Sequence, residues 1–206
     1  MGKDVVLIGY SGHAFVVYEI FLSRERNIAG YCEPAPKKLN PFKLPYLGNE
    51  IESSVIGRLK SFDYFVAVGD IAARKKIHEQ LAGKIQPPVN AIHPRSVLSG
   101  GVEIGNGVMV APGAVINALS RIGDGVICNS ASVIEHECEI GAFAHIAPGA
   151  VLCGNVKVGG QSFIGAGAVV KEGVEIGKGV TVGAGTVVIK NIPDGAVVVG
   201  NPQRFI

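Results

Sequence analysis

The chain has 206 residues, which is enough for one large domain or two small ones. Its hydrophobic content of 48% and charged content of 17% exclude a disordered chain, and its net charge of +2 argues against a nucleic-acid binder. No apolar run approaches the roughly 18 residues of a membrane span, and the N-terminus lacks the pattern of a signal peptide. We therefore expect a cytoplasmic protein that is not inserted in a membrane.

Residues 1–92 alternate strand and helix patterns. The short apolar runs "DVVLIG", "IAGYC" and "DYFVAVGD" are typical of buried strands. The stretches "FVVYEIFLSRER" and "IAARKKIHEQLAG" have apolar residues at helical spacing. Strands that alternate with helices predict a small parallel sheet covered by helices, so we expect an α/β, Rossmann-like domain over residues 1–92.

A six-residue repeat governs residues 93–206. Every sixth position is apolar without one insertion, namely Leu98, Ile104, Val110, Ile116, Ile122, Cys128, Ile134, Ile140, Ile146, Leu152, Val158, Ile164, Val170, Ile176, Val182 and Val188. This period fits neither a helix nor an ordinary strand, but it fits a parallel β-helix in which each hexapeptide forms one side of a coil. We expect the aliphatic side chains to stack inward and the glycines to form the corners.

The cysteines give no sign of a metal site. Cys32, Cys128, Cys138 and Cys153 show no CxxC spacing, so the sequence supports neither a zinc site nor a redox pair. We interpret them as buried thiols.

The order of these segments carries a resemblance. "IGYSGHA", "VAVGDIAARKKI" and "AIHP", followed by the repeat with "NSASVIEHECEIGAFAHIAPGAVLCGNVKVG", resemble the hexapeptide-repeat sugar O- and N-acetyltransferases, whose repeat winds as a left-handed β-helix. The resemblance is strongest to the branch that acetylates the 4-amino group of a UDP-linked 4-amino-4,6-dideoxy sugar in bacillosamine synthesis. It implies acetyl-CoA as co-substrate, a nucleotide-activated amino sugar as acceptor, and a homotrimer with active sites between β-helices.

His136 is the candidate general base. Imidazole is the side chain best suited to accept a proton near neutral pH, and His136 follows the inward Ile134 by two positions, where it should point outward. The resemblance implies that Glu137 orients the ring and that Asn129 lies near the same site. We expect Glu135 and Glu139 to be solvated, although the sequence leaves open whether Glu135 or Glu137 pairs with His136.

A glycine and the acetyl donor complete the predicted chemistry. Gly154 lies 18 residues after His136, so it should stack one coil away and offer its N–H to the oxyanion. His145 lies half a coil from His136, on another face, and the resemblance implies that it contacts the donor. It also implies that the main chain at Ala166 and Ala184, which we expect at small inward corners, binds the pantetheine arm.

The turn "GYSGHA" joins the first predicted strand to the first helix. Backbone N–H groups at a helix N-terminus suit a diphosphate, and the turn is not the G-x-G-x-x-G of NAD-binding proteins. The resemblance implies that Ser11, Gly12 and His13 contact the nucleotide sugar.

The ends of the next two predicted strands add candidates for the same substrate. Glu33 ends the second strand, where the family often has an acidic pair, but Pro34 replaces the second acid. Gly69 and Asp70 end the third strand at the same edge of the sheet, where such folds bind ligands.

Two other functions remain open on the sequence alone. One is O-acetylation of a free sugar such as sialic acid, and the other is a non-catalytic β-helix that acts as a scaffold or nucleotide-sugar sensor. The sequence also leaves open the base of the nucleotide and the configuration of the sugar.

Overall fold

The computed structural model describes residues 2–206, which form two compact units. The first unit ends at Pro94, and the second runs from Arg95 to Ile206. Within the described residues, no helix combines the length and apolar character that crossing a membrane requires.

The first unit is a small α/β domain. Its elements are β1 (Val5–Ile8), α1 (Gly12–Leu22), β2 (Ile28–Cys32), α2 (Ser53–Leu59), β3 (Asp63–Val66), α3 (Ile71–Leu81) and β4 (Ala91–Ile92). Strands β1, β2 and β3 form a parallel sheet in the order β2-β1-β3. The chain leaves β1 toward β2 on one side and returns with β3 on the other, which creates a topological switch point at the carboxyl ends of β1 and β3.

The core of this unit is formed by the central strand β1 and the helices that pack against the sheet. All four residues of Val5–Ile8 are fully buried. Leu59 and Leu81, from the helices α2 and α3, belong to the same apolar cluster. Burial of the sheet on both faces explains why its strands are continuous apolar runs in the sequence.

The second unit is a parallel β-helix, as the six-residue period predicts, and it is left-handed, as the resemblance implies. Its coils are built from two-residue strands whose second residue is the repeating apolar one: β5 (Val97–Leu98), β6 (Glu103–Ile104), β7 (Met109–Val110), β8 (Val115–Ile116), β9 (Arg121–Ile122), β10 (Ile127–Cys128), β11 (Val133–Ile134), β12 (Glu139–Ile140), β13 (His145–Ile146), β14 (Val151–Leu152), β15 (Lys157–Val158), β16 (Phe163–Ile164), β17 (Val169–Val170), β18 (Glu175–Ile176), β19 (Thr181–Val182) and β20 (Val187–Val188). From Val110 onward the repeating residue is buried, whereas Leu98 and Ile104 at the first coil are half-buried. A closing hairpin follows, β21 (Val197–Val199) with β22 (Arg204–Phe205).

Three parallel sheets form the sides of the β-helix. Residues 18 apart are paired, for example Ile127 with His145, Val133 with Val151, and Glu139 with Lys157. The valine sheet contains β5, β8, β11, β14, β17 and β20, and the charged sheet contains β6, β9, β12, β15 and β18. The histidine sheet includes β7, β10, β13, β16, β19 and β21.

The outward residues differ sharply between two of these sheets. Every strand of the valine sheet begins with valine, namely Val97, Val115, Val133, Val151, Val169 and Val187. The charged sheet instead presents Glu103, Arg121, Glu139, Lys157 and Glu175, whose signs alternate, and three of the four neighbouring pairs lie within ion-pair range. The charged sheet is therefore suited to face water, whereas the valine sheet is apolar on its outer surface.

Most corners of the coil require a left-handed backbone. From Gly101 to Gly185, the residue three positions after each repeating apolar one has positive φ, and glycine occupies many of these corners, such as Gly113, Gly125 and Gly149. At the corner that follows the valine sheet, two of the left-handed residues are neither glycine nor asparagine, Leu119 with φ 63° and Glu137 with φ 59°. A left-handed conformation costs a residue with a Cβ about 1 kcal/mol, so both side chains occupy strained corners.

Candidate active site

His136 and Glu137 form a pair at the corner after β11. The Nδ1 atom of His136 lies 3.0 Å from Oε2 of Glu137, and both side chains are exposed. A carboxylate can only accept, so this hydrogen bond places the ring proton on Nδ1 and leaves a lone pair on Nε2. The left-handed backbone at Glu137 turns its side chain back toward the preceding histidine. The pairing partner that the sequence left open is therefore Glu137.

Glu135 has a different partner. It is half-buried and accepts a hydrogen bond of 2.9 Å from Asn117, one coil earlier. The expectation of a solvated acid is wrong for Glu135, because the 18-residue register stacks an amide beneath it. Glu139 is exposed and lies 4.0 Å from Lys157, as its place on the charged sheet requires.

Gly154 lies against the ring of His136. A Cβ built on Gly154 would sit 2.6 Å from Nε2 and 2.5 Å from Cε1, closer than real Cβ atoms come. The backbone bond from Asn155 N–H to the His136 carbonyl, at 2.8 Å, sets this stacking. Within residues 2–206, no acceptor is bonded to the N–H of Gly154. The base and an uncovered backbone donor thus lie side by side.

Asn129 is in contact with His145. Its Nδ2 atom lies 3.1 Å from Nε2 of His145, and its Oδ1 accepts from the N–H of Ser130. The edge of the His145 ring packs against Phe163, with the centroids 5.1 Å apart. All of these side chains belong to the histidine sheet or its end, so Asn129 is grouped with His145, and no contact joins it to His136 in this chain. The expected division of the two histidines between faces matches the structure.

Ala166 and Ala184 are exposed residues at corners. Each lies two positions after a buried residue, where the chain turns away from the axis, so the expectation that they point inward is wrong. The inward small residues are Ala168 and Thr186. Neither Ala166 nor Ala184 has its N–H bonded to another described residue. Their backbones can therefore donate to a ligand.

In the first unit, the carboxyl ends of the strands gather the remaining candidates. Ser11 is exposed, has extended backbone and precedes α1, whose first turn contains no acid. Gly12 is the first residue of α1, and a Cβ built there would meet nothing within 4 Å. The N–H groups at the start of a helix have no partner within the helix, and such a first turn suits a phosphate.

His13 lies behind this turn and is neutral. Burial, with a smaller contribution from the nearby charge of Arg74, lowers its pKa to about 4. Its Nε2 is buried without a hydrogen-bond partner among the described residues. Gly69 packs on the ring, since a Cβ there would lie 3.6 Å from Cγ of His13. At neutral pH His13 therefore carries no positive charge.

Glu33, Gly69 and Asp70 each have structural partners as well. Oε1 of Glu33 accepts from the N–H of Tyr10 at 2.8 Å and from Lys37 at 3.0 Å, which joins the ends of β1 and β2. Asp70 caps α3 by accepting from Ala73 N–H at 2.8 Å. The carbonyl of Gly69 accepts from the guanidinium of Arg74 at 2.8 Å.

Two neighbours of the candidate residues were not predicted from the sequence. Arg74 is fully buried and burial lowers its pKa to about 10, so a cation inside the domain sets the electrostatics around His13. Leu119 is 63% exposed at the corner one coil before Glu137. The signal for Leu119 was available, because it occupies a corner position at which other coils have glycine.

A groove on the charged sheet is separate from these residues. It encloses about 940 Å³ and is lined by the alternating charges of that sheet and by the glycines that follow each strand. Neither His136 nor His145 lines it. Because its charges pair with one another, we assign it no ligand.

The cysteines are free thiols. Cys32, Cys128 and Cys138 are buried, as expected, and Cys153 is half-buried. Burial raises the pKa of the Cys128 thiol to about 12. No group of three or more potential metal ligands occurs among residues 2–206.

Comparison with known proteins now places this arrangement in a family. Residues 4–81 match the model of the PglD N-terminal domain, and residues 155–190 match that of the bacterial transferase hexapeptide, six repeats. A histidine-to-asparagine variant of perosamine N-acetyltransferase from Caulobacter crescentus, solved with CoA and GDP-perosamine, is 36% identical over 98% of this chain and 96% of its own, with a TM-score of 0.92.

Two further solved structures extend the comparison. The acetyltransferase domain of PglB from Neisseria gonorrhoeae FA1090, in complex with acetyl coenzyme A, is 34% identical over 100% of both chains, with a TM-score of 0.93. WeeI from Acinetobacter baumannii AYE is 27% identical over 98% of this chain and 99% of its own, with a TM-score of 0.83. The chain therefore belongs to the hexapeptide-repeat, left-handed β-helix family of sugar N-acetyltransferases that carry a PglD-type N-terminal domain.

Proposed function

We propose that this protein transfers the acetyl group of acetyl-CoA to the 4-amino group of a UDP-linked 4-amino-4,6-dideoxy sugar, as in bacillosamine synthesis. The observation that carries the proposal is the placement of the free Nε2 of His136 beside the uncovered N–H of Gly154. Acyl transfer to an amine needs a base and an oxyanion donor close together. The perosamine N-acetyltransferase structure contains CoA and GDP-perosamine, and the PglB domain structure contains acetyl coenzyme A, which supports acetyl-CoA as donor and a nucleotide-linked amino sugar as acceptor.

The reaction follows from these two groups. The amine nitrogen attacks the thioester carbonyl carbon while Nε2 of His136 takes one of its protons. The carbonyl oxygen becomes an oxyanion that accepts from Gly154 N–H. The intermediate then collapses, the carbon–sulfur bond breaks, and the thiolate of CoA leaves and takes up the proton held by His136. Glu137 holds the ring through Nδ1 and stabilises the imidazolium that forms in between.

The two substrates use separate surfaces in this proposal. The nucleotide diphosphate binds the first turn of α1 at Ser11, Gly12 and His13, with Glu33, Gly69 and Asp70 at the neighbouring strand ends. The donor lies along the exposed backbone at Ala166 and Ala184 and contacts His145. Because acetyl-CoA and nucleotide sugars are cytoplasmic metabolites, we place the protein in the cytoplasm.

We further propose a homotrimer in which the valine sheet contacts a second copy. The six outward valines form one column, and Val97 and Val169 are 55% and 38% exposed. An apolar column of this kind favours burial against another protein surface. His136 and the pair of Asn129 and His145 lie on different faces of one chain, so contact between copies could bring them to one site.

A thiol-release assay tests the proposed reaction. Acetyl-CoA is combined with UDP- and GDP-linked 4-amino-4,6-dideoxy sugars and with free sialic acid, and CoA release is followed. We expect the highest kcat/KM for the UDP-linked amino sugar. Preference for the GDP-linked sugar would correct the nucleotide, preference for sialic acid would favour O-acetylation, and release with none would favour a scaffold or sensor.

A further inference from the structure

Leu119 stands out at the corner that holds the candidate base. The corner residues after the valine sheet are, in coil order, Gly101, Leu119, Glu137, Asn155, Gly173 and Asn191. Among the left-handed residues of this corner, Leu119 and Glu137 are the two that are neither glycine nor asparagine, the residue types that adopt this backbone most readily. The backbone bond from Glu137 N–H to the Ala118 carbonyl, at 3.0 Å, stacks Leu119 directly before Glu137. An exposed leucine in a strained conformation thus adjoins the catalytic pair.

The surface between Leu119 and His136 is small and apolar. The imidazole leans toward Gly154, in the following coil, and the leucine leans toward Gly101, in the preceding coil. Between them, Ala118 is exposed and contributes only a methyl group. Adjacent coils are about 5 Å apart, so a group bound beside the ring on this side would adjoin Ala118 and Leu119. On the opposite side of the ring, Gly154 and Asn155 offer polar groups.

We infer that Leu119 selects a sugar with a methyl group at C6 in place of a hydroxymethyl group. The inference rests on the proposed function, because it requires the C4 amine to lie at Nε2 of His136. The C6 methyl is borne by the neighbouring ring carbon, so an amine at Nε2 keeps the methyl within reach of the adjoining coil. We place the methyl on the side of the ring opposite the thioester carbonyl at Gly154, against Ala118 and Leu119.

A polar residue at this corner should therefore change the choice of sugar and leave the chemistry intact. A hydroxyl at C6 would lose water on contact with leucine and gain no hydrogen bond there. An apolar pocket discriminates against a substrate with one added hydroxyl by at most about 10²-fold in kcat/KM.

The test compares two substrates that differ only at C6. UDP-linked 4-amino-4,6-dideoxy sugar and its 6-hydroxy analogue are each assayed with wild type, Leu119→Asn and Leu119→Gly. Both replacements suit the left-handed backbone, so we expect melting temperatures no lower than that of wild type. Gln161→Asn is the matched control, since Gln161 occupies a left-handed corner after the charged sheet with φ 62°.

We expect wild type to prefer the 6-deoxy sugar by at least about 10-fold in kcat/KM. Leu119→Asn should abolish most of this preference, Leu119→Gly should reduce it, and Gln161→Asn should leave it unchanged. An unchanged ratio of the two kcat/KM values in both Leu119 variants would overturn this inference and leave the proposed function standing. Wild type that acetylates neither sugar would overturn the proposed function and this inference with it, so the two failures are distinguished by the wild-type protein.

Discussion

The ring of His136 lies so close to the backbone of Gly154 that no side chain fits between them. A Cβ at residue 154 would be 2.6 Å from Nε2, the atom that carries the free lone pair. The chain thus keeps a glycine where the 18-residue register places it against the candidate base. This contact links the repeat to the chemistry, because one residue supplies both space for the ring and an uncovered donor.

Gly154→Ala should therefore displace the imidazole and lower kcat. We expect kcat to fall by about 10- to 100-fold, because the imidazole is displaced but still present. This loss is smaller than the one expected when the general base is removed altogether. Gly100→Ala is the matched control. Gly100 lies at the position equivalent to His136 two coils earlier, and a Cβ there would meet nothing within 4 Å. Steady-state kinetics and melting temperatures of both variants check this. Equal activity of the two variants would mean that the ring tolerates displacement.

Changes at Glu137 should separate strain from catalysis. Glycine suits the left-handed corner, so Glu137→Gly should be more stable than Glu137→Ala by about 1 kcal/mol. Both variants should lose a similar part of kcat, because both remove the carboxylate that holds Nδ1. Denaturant unfolding and kcat are measured for each. A much higher kcat in one of them would show that the backbone at this corner, more than the carboxylate, determines the rate.

Gly12→Val should weaken the nucleotide sugar selectively. The side chain would project into the open space at the first turn of α1. We expect the KM for the nucleotide sugar to rise several-fold while the KM for acetyl-CoA hardly changes. Gly57→Val in α2, where a Cβ also meets nothing within 4 Å, controls for placing a β-branched residue in a helix. A parallel rise of both KM values would indicate that the turn acts only structurally.

The buried His13 predicts a pH dependence of stability. Its pKa is about 4 in the folded protein and about 6.5 when unfolded, so the unfolded state binds more protons between these values. The free energy of unfolding therefore has its full value, as far as His13 is concerned, above pH 6.5. It falls by roughly 3 kcal/mol as the pH decreases toward 4. Urea unfolding at pH 7 and pH 4.5 measures the loss. His13→Gln should make that loss smaller, and an unchanged loss would assign the dependence to other groups.

A charge on the valine sheet should disrupt the proposed trimer. Val151 is half-buried in the middle of the outward column. Val151→Lys should reduce the mass found by light scattering and the activity together, because the proposed site needs two copies. Gln161→Lys, at a corner after the charged sheet, should leave both unchanged. A fully active wild-type monomer would contradict the trimer.

The fold could be predicted from the sequence because the six-residue period reflects the geometry of the coil directly. A six-residue period has no counterpart in helices or ordinary strands, and the two-residue strands end at the residues that it marks. The resemblance named Glu137 as the partner of His136, but residue spacing alone left the choice open, since Glu135 is equally near in the chain. In the structure, Glu137 has a left-handed backbone and pairs with His136, whereas Glu135 accepts a hydrogen bond from Asn117 instead.

Other site features depend on packing that the sequence does not display. Ala166 and Ala184 were expected to face inward because they are small, but their offset of two from the buried residues makes them exposed. The contact between Asn129 and His145 joins adjacent strands of one sheet, which becomes visible only once the 18-residue register is applied. The neutral state of His13 depends on burial and on Arg74, whose own burial no periodicity indicated.

The most direct test of the account is the kcat of His136→Ala with saturating acetyl-CoA and UDP-linked 4-amino-4,6-dideoxy sugar. We expect kcat to fall by about 10²- to 10⁴-fold, with both KM values little changed. The melting temperature should be preserved, since the ring is exposed and points away from the stacked core. The same loss should follow in His136→Ala combined with Glu137→Ala, because the two residues act as one unit. A near-wild-type kcat in His136→Ala would contradict the account and make His145 the next candidate for the base.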